Sequence, residues 1–341
     1  MTRKGKECCM EKNNHITNKN KYMEPQIINV TEENRDQRLD KFLTEQMSDT
    51  TRTQIKKLIL SGLVLINHKK ATVHQFLKVG DVIKISEKSP LPEKEEKKKL
   101  PSTSNKKIFE KIKIVSDEPD FLIIEKPSGL LVHPTSKIET NTLVDWLLEK
   151  YPKLRNIGED PQRPAIVHRL DKDVSGLMLI PKSQKSFDYF KRLFKLRDIT
   201  KKYTALVYGE IWKDEDEITF PISRSVNKKG LFAAKPKIET PEDKKAHTIF
   251  NVIKKFKNYT LLEVQILTGR THQIRVHMLA YGNPIVGDPI YKNKRVKLAE
   301  AERIFLHASY LSFIDLNGEK WEFTSEIPNP MTEFIKKLKT K

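Results

Sequence analysis

One aspartate stands out for its surroundings. In Ile166-Val167-His168-Arg169-Leu170-Asp171-Lys172-Asp173-Val174-Ser175-Gly176-Leu177-Met178-Leu179-Ile180, two short apolar runs with the length and bounding of buried strands enclose a loop dense in charge. An ionised carboxylate taken out of water without a partner is costly, so Asp171 has either a cation beside it or chemistry to perform. As a bare tetrapeptide, His-Arg-Leu-Asp reads more readily as a β-turn with solvated charges. Three other segments are polar where their patterns predict burial. Lys126-Pro127-Ser128-Gly129-Leu130-Leu131-Val132-His133-Pro134 is a Pro-Gly turn leaving a strand. Lys201-Lys202-Tyr203-Thr204-Ala205-Leu206-Val207-Tyr208-Gly209 alternates, which sets Tyr203, Ala205 and Val207 on one face. In Leu267-Thr268-Gly269-Arg270-Thr271-His272-Gln273-Ile274-Arg275-Val276-His277 a strand ends in Thr-Gly and Arg270 stands at the mouth of a helix. There its charge opposes the helix dipole, and an acidic partner is one reason for it. Arg275 and His277 face phosphate or solvent on this reading. The set describes a cleft with one carboxylate, one arginine to hold it ionised, and one ring to stack on a planar group.

Elements must position these groups. Strands are predicted at Ile112–Val115, Phe121–Glu125, Ala165–Leu170, Leu177–Ile180, Lys202–Tyr208, Thr248–Ile253, Tyr259–Leu267 and Phe305–Phe313. Helices are predicted at Thr142–Lys150, Gln184–Leu196, Thr271–Tyr281 and Met331–Leu338. Ser183 is the N-cap of the second of these, and Gly282 ends the third. Strands cluster with few helices between them, which predicts an α+β fold with a mostly antiparallel mixed sheet around a central cleft, over residues 108–341.

Ahead of this unit, residues 1–24 read as a disordered basic tail and residues 25–87 as a small domain. That domain has a strand, two helices around Arg38–Leu43 and Thr51–Ile59, and two further strands at Val64–Asn67 and Asp81–Ile85. Arg52, Lys56 and Lys57 lie on the polar side of its second helix, where they suit an RNA backbone. Residues 88–107, rich in Lys, Glu, Pro and Ser, carry no apolar face and read as a charged flexible linker.

Across 341 residues, Lys+Arg 64 against Asp+Glu 45 gives a net charge of +19, which points to a polyanionic partner. The two cysteines, Cys8 and Cys9, form neither a C-x-x-C site nor a disulfide framework, and no apolar run spans a bilayer. These features predict a cytoplasmic protein without a membrane partner. No histidine cluster for a metal, no phosphate-cradling glycine loop and no trusted Ser-His-Asp order is present. A stacking ring, a nucleophilic carboxylate and a basic exterior together suit a base extruded from RNA. A carboxylate glycosidase needs a second acid opposite the first, and no second candidate is as well placed.

The segment HRLDKDVSGL, with KPSGLLVHP before it and KKYTALVYG and LTGRTHQIRVH after it, resembles the RluA family of RNA pseudouridine synthases over residues 108–315. RLDKFL, the basic helix, GLVLINH and the strand around Val79–Ile83 resemble the αL-type RNA-binding domain over residues 36–86. The resemblance implies isomerisation of uridine to pseudouridine in RNA, with large-subunit ribosomal RNA expected and transfer RNA the alternative. It implies Asp171 as catalytic aspartate, Tyr203 as base-stacking tyrosine and Arg270 as the arginine paired with the aspartate. His168, Arg169 and Arg275 are further candidates for touching RNA. No cofactor, no metal and no obligate protein partner is implied, and a monomer is expected. The family usually carries Thr before the Ser-Gly of the aspartate loop, where this chain has Val174. A protein of the same fold that only binds RNA or assists ribosome assembly is the competing reading, against which the charged set in the core argues.

Overall fold

The computed structural model describes residues 26–86 apart from 48–49, 51 and 74, and residues 107–340 apart from 135–139, 226–230, 236, 238–239, 242 and 294–298. The expected tail lies outside the described residues, as does all but the last residue of the expected linker. The chain divides into two compact units, residues 1–97 and 98–341.

In the first unit, strands β1 (Gln26–Asn29), β2 (Val64–Ile66), β3 (Lys69–Lys70) and β4 (Val82–Ile85) pair antiparallel in the order β1-β4-β2-β3. Helices α1 (Leu39–Gln46) and α2 (Arg52–Leu60) put Leu39, Phe42, Leu43, Ile55 and Ile59 into one core with Val64 and Ile83. The apolar spacing that predicts these helices is the stripe that is buried. Asp40, fully buried, is held by Arg38 at 2.9 Å and Arg52 at 2.8 Å. Burial raises its pKa, but the two guanidiniums outweigh it and hold the carboxyl below the usual range. Arg52 was expected to face RNA; half of its surface is exposed, but its charge is engaged in this clamp. Lys56 is partly buried on the same helix, and the side chain of Lys57 lies outside the described residues.

In the second unit a mixed sheet runs β5 (Lys113–Asp117), β6 (Phe121–Lys126), β7 (Ser175–Pro181), β14 (Leu306–Ile314), β8 (Thr200–Tyr208), β13 (Tyr259–Ile266), β12 (Thr248–Phe256) and β9 (Glu215–Ile218), with β15 (Lys320–Thr324) also on β14. Short β10 (Ile222–Arg224) and β11 (Phe232–Ala234) form a separate hairpin. Within the large sheet the pairing is antiparallel except for β7 with β14, where Ser175 faces His307 and Gly176 faces Ala308. Gly176 has φ +123°, and a Cβ there would lie 2.3 Å from the Ala308 carbonyl oxygen, so only glycine allows this approach. Helices α3 (Leu143–Lys150), α4 (Gln184–Leu196), α5 (Gln273–Tyr281) and α6 (Asn329–Lys336) complete the unit. Ser183 caps α4 by accepting from Ser186 N at 3.1 Å, and Phe187, Phe190 and Leu193 are its buried stripe.

The strand expected at Ala165–Leu170 does not form. Ala165 adopts φ +57°, and the segment runs past β7 without a backbone ladder. A side chain takes the ladder's place: His168 Nε2 accepts the Leu179 N–H at 2.9 Å. The His168 ring also stacks on Phe194 at 4.6 Å. His168, expected to touch RNA, is therefore committed to the sheet edge. Burial drives its pKa down to about 3, which keeps the accepting nitrogen unprotonated.

Candidate active site

Asp171 lies in the irregular loop before β7, closed by a turn in which Val174 N donates to the Asp171 carbonyl at 3.2 Å. The Lys126–Leu130 turn grips this loop from behind. Gly129 N donates to Lys172 O at 2.9 Å, and Ser128 Oγ to Asp173 O at 2.6 Å. The Lys126 ammonium, fully buried, reaches the carbonyls of Pro127, Leu130 and Lys172 at 2.9, 2.8 and 3.0 Å. Three acceptors satisfy its three donors. Burial lowers its pKa to about 7, against the pull of Asp171 and Asp173.

From the front of the loop the Asp171 carboxylate, 17% exposed, faces a cavity of about 90 Å³. Tyr203 lines the same cavity from β8, with Ile266 and Leu306 beside it. The tyrosine is buried; burial first and the charge of Asp171 second raise its pKa, so the phenol stays protonated.

The cation on Asp171 is Arg275, whose Nη1 donates to Oδ2 at 3.2 Å, and not Arg270. The reason is where the helix begins. α5 starts at Gln273, so Arg270 belongs to the exposed turn before it, where its Nε donates to the Lys245 carbonyl at 3.0 Å. Arg275 lies in the first turn of α5 and its side chain is 2% exposed, which corrects its expected contact with phosphate or solvent. A cation there opposes the helix dipole. Asp288 offsets this with a two-pronged pair, Nε to Oδ2 at 2.7 Å and Nη2 to Oδ1 at 2.8 Å. Asp288 Oδ1 is itself fixed by the N–H groups of Ile290 and Tyr291. Burial works against the Arg275 charge, but Asp288 and then Asp171 more than compensate, so its pKa is raised.

His272 is a further neighbour. It holds φ +56° at the N-cap of α5, with Nε2 3.9 Å from Asp171 Oδ2 and Nδ1 2.8 Å from the Tyr291 hydroxyl. That hydroxyl accepts from Phe232 N at 3.2 Å. The arrangement in which the hydroxyl proton goes to Nδ1 leaves Nε2–H directed at the carboxylate. Burial lowers the His272 pKa, and Asp171 partly restores it. Arg169 is exposed at the cavity rim, with Nη1 3.1 Å from His133 Nε2.

The sequence reading missed Asp288, Tyr291, His272 and Lys126. One signal was available. α5 is buried nearly all round, so Gln273, Arg275 and His277 had to find internal partners. Gln273 makes four hydrogen bonds, and His277 bridges Thr248 Oγ1 and the Phe220 carbonyl.

A carboxylate held by an arginine and a buried tyrosine line one small cavity on a mixed sheet, an arrangement that suits a flat ring. The profile of the RNA pseudouridylate synthases matches residues 120–280, and that of the S4 domain residues 37–83. An uncharacterized RNA pseudouridine synthase of Bacillus subtilis (strain 168) is 34% identical over 92% of this chain and 97% of its own. Ribosomal large subunit pseudouridine synthase C of Vibrio vulnificus (strain CMCP6) is 32% identical over 92% of this chain and 95% of its own. Human RNA pseudouridylate synthase domain containing 1 superposes with a TM-score of 0.54 at 26% identity, covering 67% of this chain and 86% of its own. The chain belongs to the RluA family of RNA pseudouridine synthases, which are isomerases, and carries an N-terminal S4 domain.

Proposed function

We propose that this synthase isomerises uridines of large-subunit ribosomal RNA, with Asp171 as nucleophile, Tyr203 as the stacking ring and Arg275 as the cation that orients the nucleophile. The juxtaposition of Asp171, Arg275 and Tyr203 around one small cavity is the observation that carries the mechanism. An extruded uracil stacks on Tyr203, a contact worth about 1–3 kcal/mol per base. Asp171 attacks either the anomeric carbon of the ribose or the pyrimidine ring. The bond between C1′ and N1 breaks, the uracil turns within the cavity, C5 bonds to C1′ as the bond to Asp171 breaks and frees the carboxylate, C5 loses its proton, and N1 takes one up. The protonated Tyr203 phenol is a hydrogen-bond donor and proton relay in this scheme rather than a resting base. The choice of ribosomal RNA rests on the S4 domain and on relatives named for the large subunit. A cytoplasmic setting is the reading that cysteine usage favours.

Tritium release from ribosomal transcripts labelled at C5 of uracil tests the whole reading, because carbon-carbon bond formation must expel that hydrogen. Release by the wild type and none by Asp171→Asn is the expected result. Release from transfer RNA alone would overturn the substrate, and release from no RNA would overturn the activity.

A further inference from the structure

Beside the catalytic cavity lies a second, larger groove of about 330 Å³, which shares Ile266, Gly269 and Arg270 with it. Lys195, Arg197, Lys201 and Arg270 line this groove and no acidic residue does. Among the described residues, none of these four cations is in an ion pair. Lys201 is the most constrained. It stands two residues before Tyr203 on β8, and so on the same face, while Lys202 on the opposite face is paired with Glu263 at 2.9 Å. The Lys201 ammonium is partly buried 4.8 Å over the Phe194 ring, which also stacks on His168. Burial without a neighbouring anion lowers its pKa to about 8. A half-buried ammonium in a groove lined by three other cations and no acid is a ready partner for an entering anion.

We propose that this groove receives a backbone phosphate of the RNA strand whose uridine occupies the catalytic cavity. The proposal rests on the RNA-modifying reading above and specifies how the strand is held there. The shared wall at Gly269 and Arg270 makes the two sites consecutive along one strand: the ring enters on the Asp171 side, and the flanking phosphate passes Gly269 toward Lys201. Arg270, which does not reach Asp171, finds its role at this boundary. Phosphate contacts of this kind fix register without reading sequence.

The test compares full-length wild type, Lys201→Gln and Lys201→Arg for binding to single-stranded segments of large-subunit ribosomal RNA across a salt series. Lys201→Gln is expected to make the slope of log K against log salt shallower by about 0.7, the value for one phosphate contact on a single strand, and Lys201→Arg to restore it. An unchanged slope in Lys201→Gln overturns the proposal, as does a loss that Lys201→Arg does not rescue. Replacing single phosphates next to a modified uridine by uncharged methylphosphonates gives a second reading. One such position should weaken wild-type binding and leave Lys201→Gln unaffected; equal effects at every position in both proteins overturn the proposal. Tritium release by the wild type is measured on the same RNA. If it fails while the slopes still differ, the uridine isomerisation reading falls and the phosphate groove stands.

Discussion

At the scale of single residues, the two arginines of LTGRTHQIRVH separate into different tasks, and variants should separate them. Arg275→Gln removes the guanidinium that holds Asp171 and leaves Asp288 buried without this partner. Turnover should fall by at least about 100-fold, as when a preorganised donor is lost. Stability should fall by about 3–5 kcal/mol, as when a buried pair is broken, read by denaturant unfolding. Arg270→Gln, on an exposed turn, should keep its fold within about 0.5 kcal/mol and lose RNA affinity. Asp171→Asn should abolish tritium release while staying folded, because Arg275 retains Asp288. That the aspartate and the tyrosine would meet at one cavity was legible because each stood in an apolar context that its chemistry contradicted. The arginine was not. Choosing between Arg270 and Arg275 required knowing that the helix starts at Gln273 and not at Thr271, and a two-residue offset at a helix end lies within the uncertainty of any such boundary.

At the scale of elements, the parallel contact of β7 with β14 sets the aspartate loop against the sheet. Gly176→Ala would drive a Cβ into the Ala308 carbonyl, so it should cost at least about 2–3 kcal/mol and lower turnover with it, measurable by denaturant unfolding and tritium release. Next to it, Arg303 donates to Ser175 Oγ, Ser175 Oγ is 2.7 Å from His307 Nδ1, and His307 Nε2 is 3.0 Å from Ser325 Oγ. Burial lowers the His307 pKa to about 4, as it lowers that of His168 to about 3. Both folded values lie below the unfolded value near 6.5. The unfolded chain therefore binds more protons as pH falls, and the stability present above about pH 6.5 is lost below it. Thermal midpoints taken from pH 7 to pH 5 should fall, with up to about 1.4 kcal/mol per pH unit from each histidine, and His168→Gln should make the decline shallower. The long strands and all four predicted helices of the second unit were legible from apolar spacing and caps. The short strands β9, β10, β11 and β15 were not, because they are brief and charged residues make up three of four positions in β9 and two of five in β15, and such segments read as loops. The strand expected at Ala165–Leu170 was misread because a histidine ring can satisfy a sheet edge that periodicity assigns to backbone.

At the scale of the whole molecule, the excess of cations serves two units with separate cores. Deleting residues 1–97 should leave the synthase unit folded, with weaker RNA binding and a shallower salt dependence; binding unchanged across a salt series would remove the S4 domain from substrate capture. The boundary between the units, after residue 97, falls within residues 88–107, whose sequence offers no apolar face.

The pairing of Arg275 with two aspartates also has a meaning over a catalytic cycle. With His272 neutral, Asp171, Arg275 and Asp288 sum to one excess negative charge at rest, held where water is scarce. In the proposed mechanism an ester at Asp171 passes that charge to the uracil and leaves Arg275 and Asp288 as a balanced pair. The negative charge therefore stays within one cavity throughout, moving from carboxylate to ring and back. Arg275, anchored by Asp288, is the fixed point about which that charge is handed over, and it need not move during a turnover.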